Sequence, residues 1–175
     1  MDYLDLVKKN RRKPIAEAGD MPRVLRLNRD EITRILPHRG SMLLVDEITG
    51  IDLERGIITG RRYMDPEDPV FAGHFPGTPV YPGSLQVEMI GQLGLCLYYF
   101  ITHSTDRLGP DATPVDVRAT RVLGAQYAAP LTPGVRAGIV ARKLDYDGFF
   151  ATAVGQVVAD GTVTTAAALE VVFPD

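Results

Sequence analysis

The sequence predicts an α+β fold, one buried helix followed by a run of antiparallel strands, and two observations carry that expectation. Residues 84–100, SLQVEMIGQLGLCLYYF, form a proline-free stretch too long for a strand. It is apolar on most sides, as a helix without a broad solvent face would be. Beyond residue 115 the chain turns β-rich, with Asp147-Gly148 and Asp160-Gly161 between the runs. Asp-Gly between such runs is among the best short hairpin signals.

Taken in order, residues 1–22 read as an N-terminal arm and residues 23–175 as one domain. The arm carries a basic cluster, Lys8, Lys9, Arg11, Arg12 and Lys13. Asp2 to Lys9 suits a short amphipathic helix with Tyr3, Leu6 and Val7 on one face, limited by Pro14. Either the arm is solvated, or it docks an acidic partner. Asn28-Arg-Asp-Glu31 has the form of a capping box, with Ile32, Ile35 and Leu36 as an apolar face and Pro37 as the stop. Met42 to Ile48 and Ile57 to Tyr63 are expected strands, joined through Glu54-Arg55-Gly56. Asp65 to Pro69 is a rigid acidic turn leading to a Gly- and Pro-punctuated loop around His74. Pro82 and Gly83 then open the central helix. A polar loop, residues 103–114, follows it. The remaining strands are expected at Val115 to Ala128, Val135 to Leu144, Phe149 to Val158 and Thr162 to Phe173, as a meander.

Bulk properties narrow the function. The 175 residues suit a single domain with a real core. A formal net charge of −3 argues against general nucleic-acid binding. The central helix, at roughly 17 residues, falls short of a comfortable membrane span of about 20. The single cysteine, Cys96, excludes an intrachain disulfide and reads as a small core residue. No metal site or redox cofactor is expected. The charged N-terminus lacks the apolar stretch of a secretory signal, so the expected compartment is the cytoplasm.

The chemistry concentrates in the central helix and the loop before it. Ser84, Glu88 and Gln92 recur every four residues and share one stripe, with Gly91 beside them. A carboxylate in so apolar a helix needs a partner or a task. Glu88 and His74 therefore make a candidate acid/base pair, and the helix start at Gly83 offers free N–H groups and the positive end of a dipole. Such equipment suits proton removal beside a carbonyl: a base takes the α-proton, an N–H holds the developing enolate oxygen, and an acid serves a leaving hydroxyl. Histidine suits the first task, with an ordinary pKa of about 6.5. A Glu raised by burial would suit the last. His38 and His103 are expected to be structural or surface residues.

The sequence Gly73-His-Phe-Pro-Gly77, then Pro82-Gly83, Glu88 and Gln92, resembles the FabZ/FabA family of 3-hydroxyacyl-[acyl-carrier-protein] dehydratases. Upstream, Ile35-Leu-Pro-His-Arg39 and Leu43-Leu-Val-Asp46 resemble the family's opening signature. The likeness is strong over about residues 31–96 and weak beyond. It implies a hotdog fold, a sheet wrapped around the central helix, and active sites in a homodimer, with further assembly of dimers left open. It implies His74 and Glu88 as catalytic residues from different subunits and the Gly83 N–H as oxyanion donor. Tyr81, Ser84 and Gln92 are the expected substrate-side neighbours. Glu rather than Asp at position 88 resembles the dehydratase-only type. No cofactor is implied beyond the phosphopantetheine arm of an acyl carrier protein or coenzyme A thioester.

Two departures stand out. The stretch Gly124-Ala-Gln-Tyr-Ala-Ala129 has no charge where family members tend to be basic, leaving Arg118, Arg121 and Arg136 to flank it. Tyr81 stands where the family usually has Met, which would reshape the acyl tunnel. Chain length and pathway, primary fatty acid or polyketide-type lipid, stay open, and so do a hotdog thioesterase and a non-catalytic acyl-binding protein.

Overall fold

A computed structural model describes residues 1–174, the Ala18 side chain apart. Seven strands form one antiparallel sheet: β1 (Arg23–Asn28), β2 (Glu47–Asp52), β3 (Ile57–Tyr63), β4 (Arg118–Tyr127), β5 (Arg136–Tyr146), β6 (Phe150–Ala159) and β7 (Thr162–Val172). Their order is β1-β2-β3-β5-β6-β7-β4. Four helices accompany them: α1 (Tyr3–Asn10), α2 (Arg29–Ile32), α3 (Pro69–Gly73) and α4 (Gly83–Thr102).

Helix α4 lies across one face of the sheet, touching β3, β5, β6 and β7. Its Met89, Ile90, Leu93, Leu97 and Phe100 pack on Ile58, Ile139, Ala141 and Val157. Close approach depends on Gly155 of β6, where any Cβ would collide with Ile90. Gln86, fully inside, ties helix to sheet: its Oε1 accepts from the Thr164 and Thr165 hydroxyls at 2.7 and 2.8 Å. A sheet wrapped on a long buried helix is the hotdog arrangement expected from the sequence. Cys96 is buried within it, and burial pushes its thiol pKa up.

Three elements differ from expectation. Strand β1 was not anticipated. The expected strand at Met42 begins only at Glu47, after a one-turn 3-10 helix at Gly40–Met42. The reason lies in Leu43, Leu44 and Val45, three consecutive buried residues rather than an alternating pattern. The Leu44 N–H is satisfied by the Gln92 side chain at 2.8 Å, not by a neighbouring strand. Lastly, only β5, β6 and β7 form the meander. β4 instead pairs with β7, Gly124 opposite Ala168, and becomes an exposed edge.

The local signals hold elsewhere. Asn28 and Glu31 make the reciprocal cap of α2, at 3.0 and 2.9 Å. In the β6–β7 turn Asp160 and Gly161 both have positive φ, 49° and 76°, as a type I′ hairpin requires. The arm is anchored by one face: Val7 of α1 is buried against Val163, Ala166 and Ala168, while its basic residues stay exposed. Along β7 those alanines alternate with Ala167 and Leu169, which face α4, so α1 occupies the opposite face. Among the described residues no helix is long and apolar enough to cross a membrane.

Candidate active site

The stripe expected on α4 exists and faces a cleft. Ser84, Glu88 and Gln92 line it from the helix, Ala125 and Tyr127 from β4 and Leu169 from β7, around about 570 Å³. The cleft is open at the edge strand, where Tyr127 is exposed.

Gln92 is buried and fully committed. Its Oε1 accepts from the Leu44 N–H, and its Nε2 donates to the Met42 carbonyl at 2.7 Å and to Glu88 Oε1 at 2.9 Å. One amide therefore fastens the catalytic candidate to the loop before β2. A second donor reaches the same oxygen: His38 Nε2 stands 3.3 Å from Glu88 Oε1. His38, expected as a structural or surface residue, lines the cleft beside Glu88. One expectation is corrected: the Glu88 pKa is lowered, not raised, because the His38 bond, with Gln92 in support, outweighs the upward push of burial. The sequence shows the burial of Glu88 and not its donors, because His38 comes from a distant loop. What could have found His38 was its place inside the same signature as Leu43 to Asp46. Arg39 shapes that loop, its guanidinium donating to the carbonyls of Leu36, His38 and Thr33 at 2.6, 2.8 and 2.9 Å.

His74 sits at the C-terminal end of α3, half-buried, its N–H bonded to Val70 O at 3.0 Å. Nδ1 lies 2.8 Å from the Val80 carbonyl. A carbonyl can only accept, so Nδ1 carries the proton and Nε2 keeps the lone pair. The imidazole is thereby held in the tautomer of a base. His74 does not line the cleft that Glu88 faces. Within one chain the two are not brought together.

At the start of α4, Pro82 provides no side-chain cap, and the first helical bond is Gln86 N–H to Pro82 O at 3.1 Å. The N–H groups of Gly83, Ser84 and Leu85 are therefore the helix's orphan donors. A Cβ at Gly83 would lie 2.5 Å from the Tyr127 ring, so any larger residue there would displace that exposed side chain from the cleft mouth. Tyr81 is placed differently from a cleft wall. Its N–H bonds Leu131 O at 2.7 Å, and its ring turns into the core against Phe71 with the Arg62 guanidinium 5.7 Å from its centroid. His103 stacks on Tyr99 at the far end of α4, away from the cleft. Among the described residues no group of three His, Cys, Asp or Glu side chains could hold a metal.

Fold and site together define a hotdog protein with a histidine base candidate and a hydrogen-bonded carboxylate on the central helix. The chain belongs to the family of FabA-like domains, which match residues 36–168. It is 33% identical over 145 residues to the 3-hydroxyacyl-[acyl-carrier-protein] dehydratase FabZ of Campylobacter jejuni, covering 83% of this chain and 96% of that protein. The FabZ of Aliarcobacter butzleri is 30% identical over the same share. Among solved structures, the dehydratase heterocomplex ApeI:P of Xenorhabdus doucetiae superposes with a TM-score of 0.64 at 18% identity, over 82% of this chain and 91% of that one. A mutant thioesterase of Pseudomonas aeruginosa does so at 0.52 and 18%, over 73% and 79%. At such identities these two likenesses speak for the fold alone.

Proposed function

We propose that the protein is a hydro-lyase of fatty-acid-type biosynthesis, removing water from a 3-hydroxyacyl thioester to give the trans-2-enoyl thioester. One observation carries the assignment of roles. His74 offers a free Nε2 lone pair while Glu88 is held ionised with its Oε2 uncommitted. His74 Nε2 takes the α-proton, and the C–H electrons move toward the thioester oxygen, which the Gly83 N–H holds. As the double bond forms, the C3–O bond breaks and the hydroxyl leaves with one proton. That proton returns from the His74 imidazolium by way of a water bound to Glu88 Oε2. Atoms balance as enoyl thioester plus water, and the histidine ends neutral. The low pKa direction favours this water-holding carboxylate over a protonated Glu88 acting directly as acid.

The site is completed in a homodimer, with His74 from one chain meeting Glu88 of the other, which accounts for their separation within a chain. The substrate is carried on an acyl carrier protein. Both active-site equipment and family speak against a thioesterase, although the fold is shared. Mass spectrometry of the protein with 3-hydroxyacyl thioesters of several lengths tests the reading. Loss of one water with the thioester intact is expected. Release of free thiol and acid would overturn it.

A further inference from the structure

The thioester substrate needs a route to the cleft, and its carrier needs a surface on which to dock. The stretch beside the cleft mouth, residues 124–129, has no charged side chain. Of its basic neighbours, Arg121 is ion-paired with Glu170 at 2.6 Å, Arg118 lies 3.9 Å from Asp116, and Arg136 sits over the Tyr63 ring at 5.5 Å. The arm is different. Of residues 8–13 five are cationic, all five are exposed, and among the described residues only Lys9 has an ion partner, Asp5.

These cations stand on a fixed backbone. The buried Gln156 side chain of β6 donates to the carbonyls of Asn10 and of Lys13, the latter at 2.8 Å, and accepts the Ile15 N–H at 2.7 Å. Val7 anchors the preceding turn. The placement relative to the cleft follows from the strand register. Gln156 is opposite Ala166, and Ala166 is opposite Gln126, the residue before Tyr127. Along the sheet, two strand spacings, roughly 10 Å, thus separate the clamp on Lys13, on the face away from α4, from the edge strand at which the cleft opens on the other face. Tyr127 on that edge lies against Gly83, the proposed donor to the substrate carbonyl.

We propose that the basic segment Lys8–Lys13 is the docking surface for the acidic face of the carrier protein that delivers the acyl group. The inference rests on the dehydratase reading for the identity of its cargo. A rigid cationic strip costs less ordering on docking than a free tail, and it speeds encounter with an anionic partner in a salt-dependent way. The arm thereby supplies the charge that residues 124–129 lack.

The test uses the full chain and the triple variant R11E/R12E/K13E, whose side chains take no part in the cleft. Both are assayed with a 3-hydroxyacyl group on acyl carrier protein and on a short pantetheine thioester. Carrier-dependent kcat/KM should fall at least tenfold, and its decline with added salt should flatten, while the pantetheine substrate is turned over as before. Unchanged carrier kinetics would overturn the proposal. Equal loss on both substrates would do so too, provided that the milder R11Q/R12Q/K13Q variant, checked for intact circular dichroism, behaves alike. Should the wild type dehydrate neither substrate, the dehydratase reading fails by itself. Direct titration of the two proteins with acyl carrier protein then decides docking, with weaker binding by the variant expected and equal binding fatal. Binding to phosphatidylglycerol vesicles with no carrier effect would assign the strip to a membrane surface instead.

Discussion

The two halves of the proposed chemistry are built to different standards of rigidity. Glu88 sits in the second turn of the packed helix α4, its Oε1 held by two donors, one of them an amide with three hydrogen bonds of its own. His74 hangs from a five-residue helix and a turn in which residues 75–79 are all exposed, and its ring is oriented by one bond to Val80 O. The carboxylate is over-determined and the base is lightly tethered. The contrast teaches which group the fold alone can hold: the exposed His74 loop is the part of the site that the proposed dimer is called on to complete.

The largest effect should come from the lightly held partner. His74→Ala is expected to lower kcat by about 10³, within the range of general acid–base contributions, with no loss of thermal stability, since its side chain bonds only Val80 O. Near wild-type turnover would remove His74 from the mechanism. Glu88→Gln keeps the shape but loses the charge, and a fall of about 10² is expected. Mixing the two inactive chains is the sharper use of both. If base and carboxylate come from different subunits, co-expressed H74A and E88Q chains should regain part of the activity in mixed dimers. Continued inactivity of verified heterodimers would place both groups of a working site on one chain.

The same contrast explains what could be read in advance. The central helix, β3, the hairpin turns and the Ser84–Glu88–Gln92 stripe all follow from local spacing, which one chain segment contains. Leu43 to Val45 do not extend the strand because the Leu44 N–H is satisfied by a side chain 48 residues away. β4 misled because the choice between β5 and β7 as neighbour is a long-range one. His38 was overlooked for that reason also: its role exists only once the loop folds onto α4, and no spacing rule joins positions 38 and 88. The sign of the Glu88 pKa shift then reversed, because donors rather than burial decide it.

Gln92→Leu attacks the over-determined side. It leaves the buried Leu44 N–H without a partner, a penalty of about 1–3 kcal/mol. Urea unfolding should show that loss with an unchanged m-value. Activity should fall as well, although less than in E88Q, since His38 still holds one carboxylate oxygen. Full stability in this variant would mean that water replaces the amide and that the anchoring is weaker than the geometry implies.

The smallest and most diagnostic effect concerns His38. Its bond is the leading cause of the lowered Glu88 pKa, and the proposed mechanism needs Glu88 ionised. An imidazole takes its proton at higher pH than a carboxylate, and the mechanism needs both groups free of one, so the readout is the carboxylate itself, by 13C NMR titration of the Glu88 carboxyl. In the wild type its midpoint should lie below the ordinary Glu value. His38→Leu removes the leading donor, and the midpoint should rise toward that value. His38→Gln, whose amide can place an N–H near the position of Nε2, should move it back part of the way. A merely structural histidine would change kcat and leave the midpoint in place. A kcat that rises in His38→Leu along with the midpoint would show that Glu88 acts in its protonated form, and would turn the water-holding carboxylate back into a direct acid.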